Sequence, residues 1–316
     1  MGGRLKSSAI LPVRNVEATG AVKLTVCTAV LNATRSGCDS SLERCIRSVA
    51  ALPFKHEHLV FDGGSDDGTV EVLRSLESEI PTLRVAVGPD SGIYNALNKG
   101  VRDAQGEYFY VLGSDDWICD PAALDDTLRE AFHLAVDIMV SPVLREGEGA
   151  WSCARSDVFD MLGGMPYSHQ GALVRTSLIR SLGGYDVSYR IVADYKLHLL
   201  AHLRGARTEC LWRPFARVGV CGLSGRNPKL LQQEGARVRC EAFGLSGIES
   251  DCHCRTGTLP LAKWIGLVRS HEPFTRRVGW TCARRWLWHK HKGETFSTWR
   301  LAGIPVFTWR RRKRGT

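Results

Sequence analysis

The sequence lacks any long apolar run. No stretch of its 316 residues approaches the roughly 18 consecutive apolar residues that a membrane-spanning helix requires, and residues 1–20 lack the apolar centre of a secretory signal. Internal repeats are absent too. With 44% hydrophobic and 24% charged residues, the composition is typical of a folded soluble protein, long enough for one domain plus an appendage.

The eleven cysteines show no repeating spacing. An odd, scattered set argues against a disulfide scaffold and predicts reduced thiols in a cytoplasmic protein. The triplet Cys252, His253 and Cys254 looks like a fragment of a metal site, but no second ligand pair follows at zinc-site spacing. We therefore expect no structural zinc here.

Positive charge is concentrated at the C-terminal end. The net charge is +9, and the residues from Lys263 onward hold 14 Lys and Arg against 2 acidic residues. Six tryptophans are interleaved with these cations: Trp264, Trp280, Trp286, Trp288, Trp299 and Trp309. This pattern is typical of attachment to an anionic membrane surface. The alternative is a helical extension that packs its tryptophans into the body or into a second subunit.

The N-terminal half repeats a unit of strand, turn and helix. Apolar and β-branched runs predict buried strands at Lys23–Leu31, Leu59–Phe61, Leu83–Val87 and Tyr108–Leu112. Each strand ends in a Gly- or Asp-rich turn and is followed or preceded by a helical pattern, which indicates an α/β fold with a mostly parallel, doubly wound sheet. The second half is less regular, with predicted strands at Asp137–Val143 and Arg207–Val218 and a helix at Ala193–Arg204.

Two adjacent carboxylates, Asp115 and Asp116, follow the strand Tyr108–Leu112. Ligands bind beyond the carboxyl ends of parallel strands, and Mg²⁺ takes one or two carboxylates together with phosphate oxygens and water. One aspartate can therefore hold a metal while its neighbour reaches a ribose hydroxyl. The alternative is a solvated turn with a helix cap.

Two further turns carry candidate binding residues. Asp62 precedes a glycine-rich turn and can accept a hydrogen bond from a nucleobase, although a tight turn with Ser65 or Asp66 as helix cap explains the same residues. In the segment PDSGIYNALNK, Asp90 can meet a sugar hydroxyl and Lys99 a phosphate. An ordinary capped amphipathic helix is the alternative there.

The second half adds three candidates. Asp194, in the first turn of a helix, can deprotonate a sugar hydroxyl, although an acid at this place also stabilises the helix dipole. His169 can contact a phosphate or an acceptor, or it can be structural. Arg226 can clamp a diphosphate from the glycine loop 219–226, unless that loop is a plain turn.

Taken in order, these segments resemble the family 2 glycosyltransferases of the GT-A (Rossmann-like) fold, and they are similar to the bacterial enzymes of the colanic-acid and exopolysaccharide type. The matching segments are TVCTAVLN (25–32), HLVFDGGSDDGT (58–69), GPDSGIYNALNKG (88–100), GEYFYVLGSDDW (106–117), HQGALVR (169–175) and GGYDVSYRIVADYKL (183–197). We expect an irregular leader (1–21), a GT-A domain (22–245) and a basic, helical C-terminal extension (246–316). Within the domain, 22–118 is the nucleotide-sugar-binding half and 119–245 the acceptor half.

The resemblance also implies roles for single residues. Asp62 is expected to contact the nucleobase, Asp116 to bind Mg²⁺ or Mn²⁺, and Asp194 to be the catalytic base. Nucleotide-sugar binding is expected of Thr28, Asn32, Asp62, Asp90, Lys99, Asp115, His169 and Arg226. Many members carry Glu-Asp where this chain has Ala193-Asp194, so the base is kept and a neighbouring acid is missing.

The activity that the resemblance implies is an inverting transfer of one sugar from a UDP-, GDP- or dTDP-sugar to a hydroxyl of a glycan or lipid-linked acceptor. The Gln-x-x-Arg-Trp motif of processive synthases is absent, so we expect a single sugar per reaction. The alternative is a non-catalytic member that binds nucleotide sugar as a partner in a biosynthetic complex.

The charge distribution adds expectations about location. We expect a cytoplasmic protein, peripheral on the inner face of the cytoplasmic membrane through its tail. The mildly acidic body argues against a nucleic-acid partner. A homo-oligomer is left open.

Overall fold

The computed structural model describes residues 21–35, 39–145, 150–151, 161, 164–219, 227–243, 288–292, 296–301 and 304–310. All but the last residue of the expected leader, and residues 246–287 of the expected extension, lie outside the described residues. Arg226 does as well.

The N-terminal half alternates strand and helix, as the sequence predicts. In chain order its elements are β1 (Leu24–Val30), α1 (Asp39–Ala50), β2 (His56–Asp62), α2 (Thr69–Glu79), β3 (Leu83–Val87), α3 (Ile93–Asp103) and β4 (Tyr108–Val111). β1 is buried along nearly its whole length. Helices cover both faces of a parallel sheet, which explains why its central strand carries no regular alternation of apolar and polar residues.

The second half mixes short strands with helices. Its elements are β5 (Trp117–Ile118), α4 (Pro121–His133), β6 (Ile138–Val140), β7 (Val143–Arg145), β8 (Ala150–Trp151), a 3₁₀ turn (His169–Gly171), β9 (Ala172–Arg175), α5 (Thr176–Ser181), α6 (Ala193–Leu203), β10 (Thr208–Cys210), β11 (Ala216–Val218) and α7 (Pro228–Phe243). A second sheet has four strands in the spatial order β5-β11-β7-β8.

The main sheet has seven strands in the order β10-β6-β9-β4-β1-β2-β3. β1 pairs in parallel with both β2 and β4, so the strand order reverses beside β1, and the crevice at such a reversal is where open α/β sheets bind ligands. β9 is antiparallel to β4 and β6. Its first residue therefore lies near the carboxyl end of β4, and the 3₁₀ turn before it is delivered to that crevice.

Two apolar layers enclose the sheet. On one face, Cys27 and Phe61 from the strands pack in a cluster with Leu97 of α3 and Leu199 of α6. On the other face, Val26 packs with α1 and α4, and Val30 with α1 and α2. The predicted α/β fold with a mostly parallel, doubly wound sheet is confirmed.

Two predicted strands are each divided by a proline. The run predicted as one strand at Asp137–Val143 forms β6 and β7 on either side of Pro142, and the run Arg207–Val218 forms β10 and β11 on either side of Pro214. Proline has no N–H for the ladder and is confined to edges and breaks in sheets. The two halves of each run consequently join different sheets.

The helical character expected of the C-terminal extension is wrong for its described part. Residues 288–292, 296–301 and 304–310 form strands β12, β13 and β14, which pair as an antiparallel three-stranded sheet. The segments FSTWRL and IPVFTWR are rich in β-branched and aromatic residues and are separated in the sequence by Ala302-Gly303. Such residues favour strands over helices. This preference explains why the described part of the tail forms strands and not the expected helix.

Two further findings concern the chain as a whole. Cys210 is disulfide-bonded, so the expectation that every cysteine is reduced is wrong at this position, while Cys27, Cys45, Cys119 and Cys240 are free. None of the helices in the described part of the chain has the length and hydropathy that a membrane span requires.

Gly106, just before β4, leads to a first prediction. A Cβ at this position would lie 2.3 Å from the Thr25 backbone nitrogen and 2.6 Å from the Leu24 carbonyl carbon. Because these are backbone atoms of the central strand, Gly106→Ala should lower the free energy of unfolding by about 1–3 kcal/mol in urea titrations. The matched control is Gly235→Ala in α7, where the new Cβ approaches only Arg239, at 3.4 Å. A Gly106→Ala protein as stable as the control would contradict this account of the β1–β4 contact.

Candidate active site

The turn after β4 holds Asp116 in a fixed position. Its side chain is 2% exposed; Oδ2 accepts the Gly113 N–H at 3.1 Å and Oδ1 accepts the Gly219 N–H at 2.9 Å. Gly219 follows β11, so the two donors come from distant parts of the chain. Asp115, the next carboxylate, is only half-buried.

Neither glycine leaves room for a side chain. A Cβ on Gly113 would lie 2.6 Å from Asp116 Oδ2, and one on Gly219 would lie 2.7 Å from Asp115 Oδ2. The backbone thus approaches both carboxylates as closely as it can. Gly219 opens the glycine loop 219–226 that the sequence placed over a diphosphate, and the structure brings that end of the loop to the aspartates.

The surroundings of Asp116 favour the neutral form of its carboxyl group. Burial, together with the neighbouring Asp115 carboxylate, raises the pKa of Asp116 to about 6, although the two backbone N–H groups and His169 act in the opposite direction. The described residues contain no group of three His, Cys, Asp or Glu side chains that could hold an ion by themselves. Two carboxylates at one edge fit a divalent ion of the Mg²⁺ or Mn²⁺ type, because such an ion fills its remaining positions with phosphate oxygens and water.

Asp194 lies in the first turn of α6, where both of its carboxylate oxygens are engaged. Oδ1 accepts the Tyr94 hydroxyl at 3.0 Å, and Oδ2 lies 2.9 Å from His169 Nδ1. The His169 side chain is 33% and the Asp194 side chain 17% exposed, so both remain open to a ligand. The sequence candidates His169 and Asp194, which are far apart in the chain, therefore form one pair.

His169 and Asp194 shift each other's pKa. Burial by itself lowers the pKa of His169, but the Asp194 carboxylate outweighs this effect and the net shift is upward. Burial raises the pKa of Asp194, but the charge and hydrogen bond of His169 outweigh it and the net shift is downward. Asp116 adds to the upward shift at His169, so Asp116, His169 and Asp194 share one electrostatic environment.

Asp62 organises the loop between β2 and α2. Its side chain is 1% exposed; Oδ1 accepts the N–H groups of Gly64 and Ser65, and Oδ2 accepts the Ser65 hydroxyl at 2.5 Å. Asn32 joins this loop to the end of β1, since its side chain accepts the Asp66 N–H at 3.1 Å and its own N–H donates to Ser65 Oγ. The tight turn is present, whereas α2 is capped by Gly68 rather than by Ser65 or Asp66. The nucleobase contact stays a prediction.

Asp90 and Lys99 pair with each other. Lys99 Nζ lies 2.5 Å from Asp90 Oδ1, and the Asp90 side chain is 7% exposed. Each charge is thus neutralised within the chain, and their contacts to sugar and phosphate stay predictions.

Comparison with known proteins agrees with this arrangement. The model of a family described as Glycosyl transferase family 2 matches residues 25–191, more than half of the chain. The chain belongs to glycosyltransferase family 2. The matched region includes Asp62, Asp115, Asp116 and His169, and it ends just before Asp194.

Individual relatives of this glycosyltransferase agree with the family. It is 28% identical over 192 residues to an uncharacterized glycosyltransferase of Mycobacterium tuberculosis, across 57% of this chain and 71% of the relative. It is 30% identical over 166 residues to a PGL/p-HBAD biosynthesis glycosyltransferase of Mycobacterium bovis, across 50% of this chain and 63% of the relative.

Solved glycosyltransferases share the fold. Staphylococcus aureus TarS 1-349 in complex with UDP-GlcNAc superposes with a TM-score of 0.58 at 17% identity, over 74% of this chain and 70% of TarS. The mannosyltransferase PcManGT from Pyrobaculum calidifontis, in complex with GDP-Man and Mn²⁺, gives 0.57 at 16% identity, over 84% and 76% of the two chains. These similarities confirm the GT-A fold of this glycosyltransferase.

The structure places Thr28 of the glycosyltransferase in the core. This side chain is fully buried; its hydroxyl donates to the Leu112 carbonyl at 2.9 Å and lies 3.0 Å from His58 Nε2. The pleat of β1 turns Thr28 inward beneath the strand end. It supports the turn that carries Asp115 and Asp116, and its contact with a nucleotide sugar stays a prediction.

Two contacts of the glycosyltransferase site escaped the sequence interpretation. Tyr94 lies in the segment PDSGIYNALNK, where only Asp90 and Lys99 were singled out, and its hydroxyl reaches Asp194. The Gly219 N–H carries no side-chain signal. The sequence hint for the Tyr94 contact was a tyrosine inside a helix that begins at a turn with candidate binding residues. No residue type marks the Gly219 contact.

Buried His58 gives the glycosyltransferase a pH dependence of stability. Burial, with a smaller contribution from His56, lowers the pKa of His58 from 6.5 to about 3. The unfolded chain takes up a proton below pH 6.5 that the folded chain refuses, so stability is fully present above pH 6.5 and is lost as the pH falls towards 3, by at most about 1.4 kcal/mol per pH unit for this group. In urea titrations at pH 7.5, 5.5 and 4.5, His58→Gln should flatten this loss. The exposed His133→Gln is the matched control, and equal slopes in both variants would refute the assignment.

Proposed function

We propose that this protein is an inverting, metal-dependent glycosyltransferase that moves one sugar from a nucleotide-diphosphate sugar to a hydroxyl of a glycan or lipid-linked acceptor in polysaccharide or glycolipid biosynthesis. The observation that carries the proposal is the convergence of two carboxylate sites on one crevice. Asp115 and Asp116 lie at the carboxyl end of β4, and Asp194 is linked to them electrostatically through His169.

The first site is suited to the leaving group. Asp116, with Asp115 beside it, would hold Mg²⁺ or Mn²⁺, and such an ion supplies charge stabilisation to a departing diphosphate. Asp115 is the residue placed nearer the ribose, and Asp62 the one assigned to the base. Lys99 and Arg226 are the cations assigned to phosphate, and Arg226 lies outside the described residues.

The second site is suited to proton transfer. Asp194 is ionised beside His169 and takes the proton of the acceptor hydroxyl as that oxygen attacks the anomeric carbon. The attack comes from the face opposite the leaving diphosphate, and a single displacement inverts the anomeric configuration. The same logic operates when an inverting glycosidase activates water with a carboxylate.

The comparisons support the substrate class. TarS was solved in complex with UDP-GlcNAc and PcManGT with GDP-Man and Mn²⁺, and one relative is named for PGL/p-HBAD biosynthesis. We carry over only the shared chemistry, a nucleotide-diphosphate sugar with a divalent ion. Contact of the basic C-terminal tail with an anionic membrane is part of the proposal, because it would bring the enzyme to a lipid-linked acceptor.

The defining experiment is a donor screen. UDP-, GDP- and dTDP-sugars are incubated with the full-length protein and Mn²⁺, and release of the nucleoside diphosphate is followed. We expect one nucleotide class to be turned over and to raise the melting temperature. If no nucleotide shifts the melting temperature, donor binding fails as a proposal, while binding without turnover would favour the non-catalytic alternative.

Asp194→Asn tests the base. The isosteric amide keeps the site packed but cannot accept a proton, so transfer should fall about 10²–10⁴-fold while the nucleotide still raises the melting temperature. The control is Asp186→Asn, which removes an acid that pairs with Lys196 and should leave turnover near the wild-type value. Retained turnover in Asp194→Asn would remove this residue from the mechanism.

Asp116→Asn tests the metal. Removal of one buried negative charge should abolish the Mn²⁺-dependent part of nucleotide binding, measured by calorimetry with and without EDTA. The exposed Asp103→Asn serves as control. Metal-dependent binding of wild-type strength in Asp116→Asn would show that the ion is held elsewhere.

A further inference from the structure

Asp194 must be both ionised and oriented if it is to take a proton from an acceptor. A carboxylate in the first turn of a helix is free to rotate about its side-chain bonds unless other groups hold it. Here Oδ2 is paired with His169 and Oδ1 accepts a hydrogen bond from Tyr94. The His169 side chain is itself 33% exposed, so Tyr94 is the more rigid of the two groups that hold Asp194.

Tyr94 is fixed by its surroundings. It lies in the first turn of α3 with 7% exposure, and its ring stacks on Tyr185 at a centroid distance of 5.8 Å and an interplanar angle of 19°. Burial and the neighbouring Asp194 carboxylate raise the pKa of Tyr94 above its ordinary value. The phenol therefore stays protonated, and it can serve the ionised Asp194 as a hydrogen-bond donor.

The stacking partner is held from the same helix. Asn98, one turn after Tyr94 in α3, donates to the Tyr185 carbonyl and accepts the Tyr185 N–H, both at 2.8 Å. A Cβ on Gly184 would lie 2.5 Å from Asn98 Oδ1, so the glycine leaves room for this contact. α3 thus fixes Tyr185 through Asn98, and Tyr185 in turn fixes the ring of Tyr94.

We propose that Tyr94 is a positioning residue for the proton-transfer step: its hydroxyl holds Asp194 Oδ1 so that the carboxylate keeps one orientation towards the acceptor hydroxyl. This inference rests on the proposed function, in which Asp194 is the base. It gives the segment PDSGIYNALNK a role beyond donor binding, because Tyr94 and Asn98 connect the donor-side helix α3 to the base on α6.

The test compares two substitutions of the same kind. Tyr94→Phe removes the hydroxyl that reaches Asp194, whereas Tyr185→Phe removes a neighbouring hydroxyl that makes no hydrogen bond to any described residue. With UDP-GlcNAc and GDP-mannose as donors, Mn²⁺ present and water as acceptor, release of UDP or GDP gives kcat and the donor KM. We expect Tyr94→Phe to lower kcat about 10- to 100-fold with an unchanged donor KM, and Tyr185→Phe to behave as wild type.

The pH profile separates positioning from a merely structural role. Groups facing Asp194 are Tyr94, His169, His198 and Tyr185. A hydrogen bond to an ionised carboxylate favours the ionised form, so its loss raises the pKa of Asp194. The acidic limb of kcat should therefore move to higher pH in Tyr94→Phe and stay in place in Tyr185→Phe. An unmoved limb in Tyr94→Phe, or equal kcat values in the two variants, overturns the inference.

Two arms keep the outcomes distinct. Asp194→Asn is measured in parallel: if it retains turnover, or if the wild type releases nucleotide from none of the UDP-, GDP- and dTDP-sugars of the donor screen, the proposed function fails and this inference with it. If Asp194→Asn is inactive and Tyr94→Phe is fully active, only the role of Tyr94 fails.

Should Tyr94→Phe not fold, 3-fluorotyrosine at position 94 keeps the ring, and its hydroxyl is a stronger hydrogen-bond donor. The acidic limb of kcat must then move to lower pH. An unchanged limb refutes the proposal.

Discussion

The site depends on a buried carboxylate that its surroundings only partly neutralise. Asp116 is 2% exposed, and among the described residues it accepts hydrogen bonds from the backbone N–H groups of Gly113 and Gly219. Because a charge without full compensation is costly in a dry environment, both donors must approach closely, and both positions must be glycine. The close approach of Gly219, the residue after β11, to the turn after β4 follows from this one constraint.

One antiparallel strand brings His169 to the same crevice. If β9 ran parallel to β4, the residues before it would lie at the opposite edge of the sheet. Its reversed direction puts His169 at the carboxyl end of β4, within the electrostatic range of Asp116 and in contact with Asp194. The sheet therefore separates the two groups of candidate residues. The ends of the parallel strands carry Asp62, Asp115 and Asp116, which are assigned to the donor, and the turn before β9 and α6 carry His169 and Asp194, to which proton transfer is assigned.

Local sequence patterns predicted what depends on neighbours in the chain. The strands β1 to β4 and the aspartates at their ends follow from apolar runs that stop at Gly- or Asp-rich turns, and the family resemblance carries the GT-A fold. What escaped prediction depends on distance or on orientation. The Tyr94–Asp194 and Gly219–Asp116 hydrogen bonds span 100 and 103 residues. Thr28 was assigned to the ligand, whereas the pleat of β1 turns its side chain into the core. Pro142 and Pro214 each divide a run that was predicted as one strand. In the tail, a basic helical extension was expected, but the β-branched and aromatic residues favour strands.

The bond from Gly219 to Asp116 also has a consequence for biosynthesis on the ribosome. A chain emerges at about 5–20 residues per second, and N-terminal elements begin to fold first. The strands β1 to β4 are available early, but the carboxylate at the end of β4 gains its second backbone donor only once Gly219 has been made and β11 has paired with β5 and β7. Until then Asp116 can accept the Gly113 N–H but not the Gly219 N–H, although Asp194, which precedes Gly219 in the chain, has already been made. The hydrogen bonding of Asp116 is therefore completed only after the residue that carries the proposed base has been made.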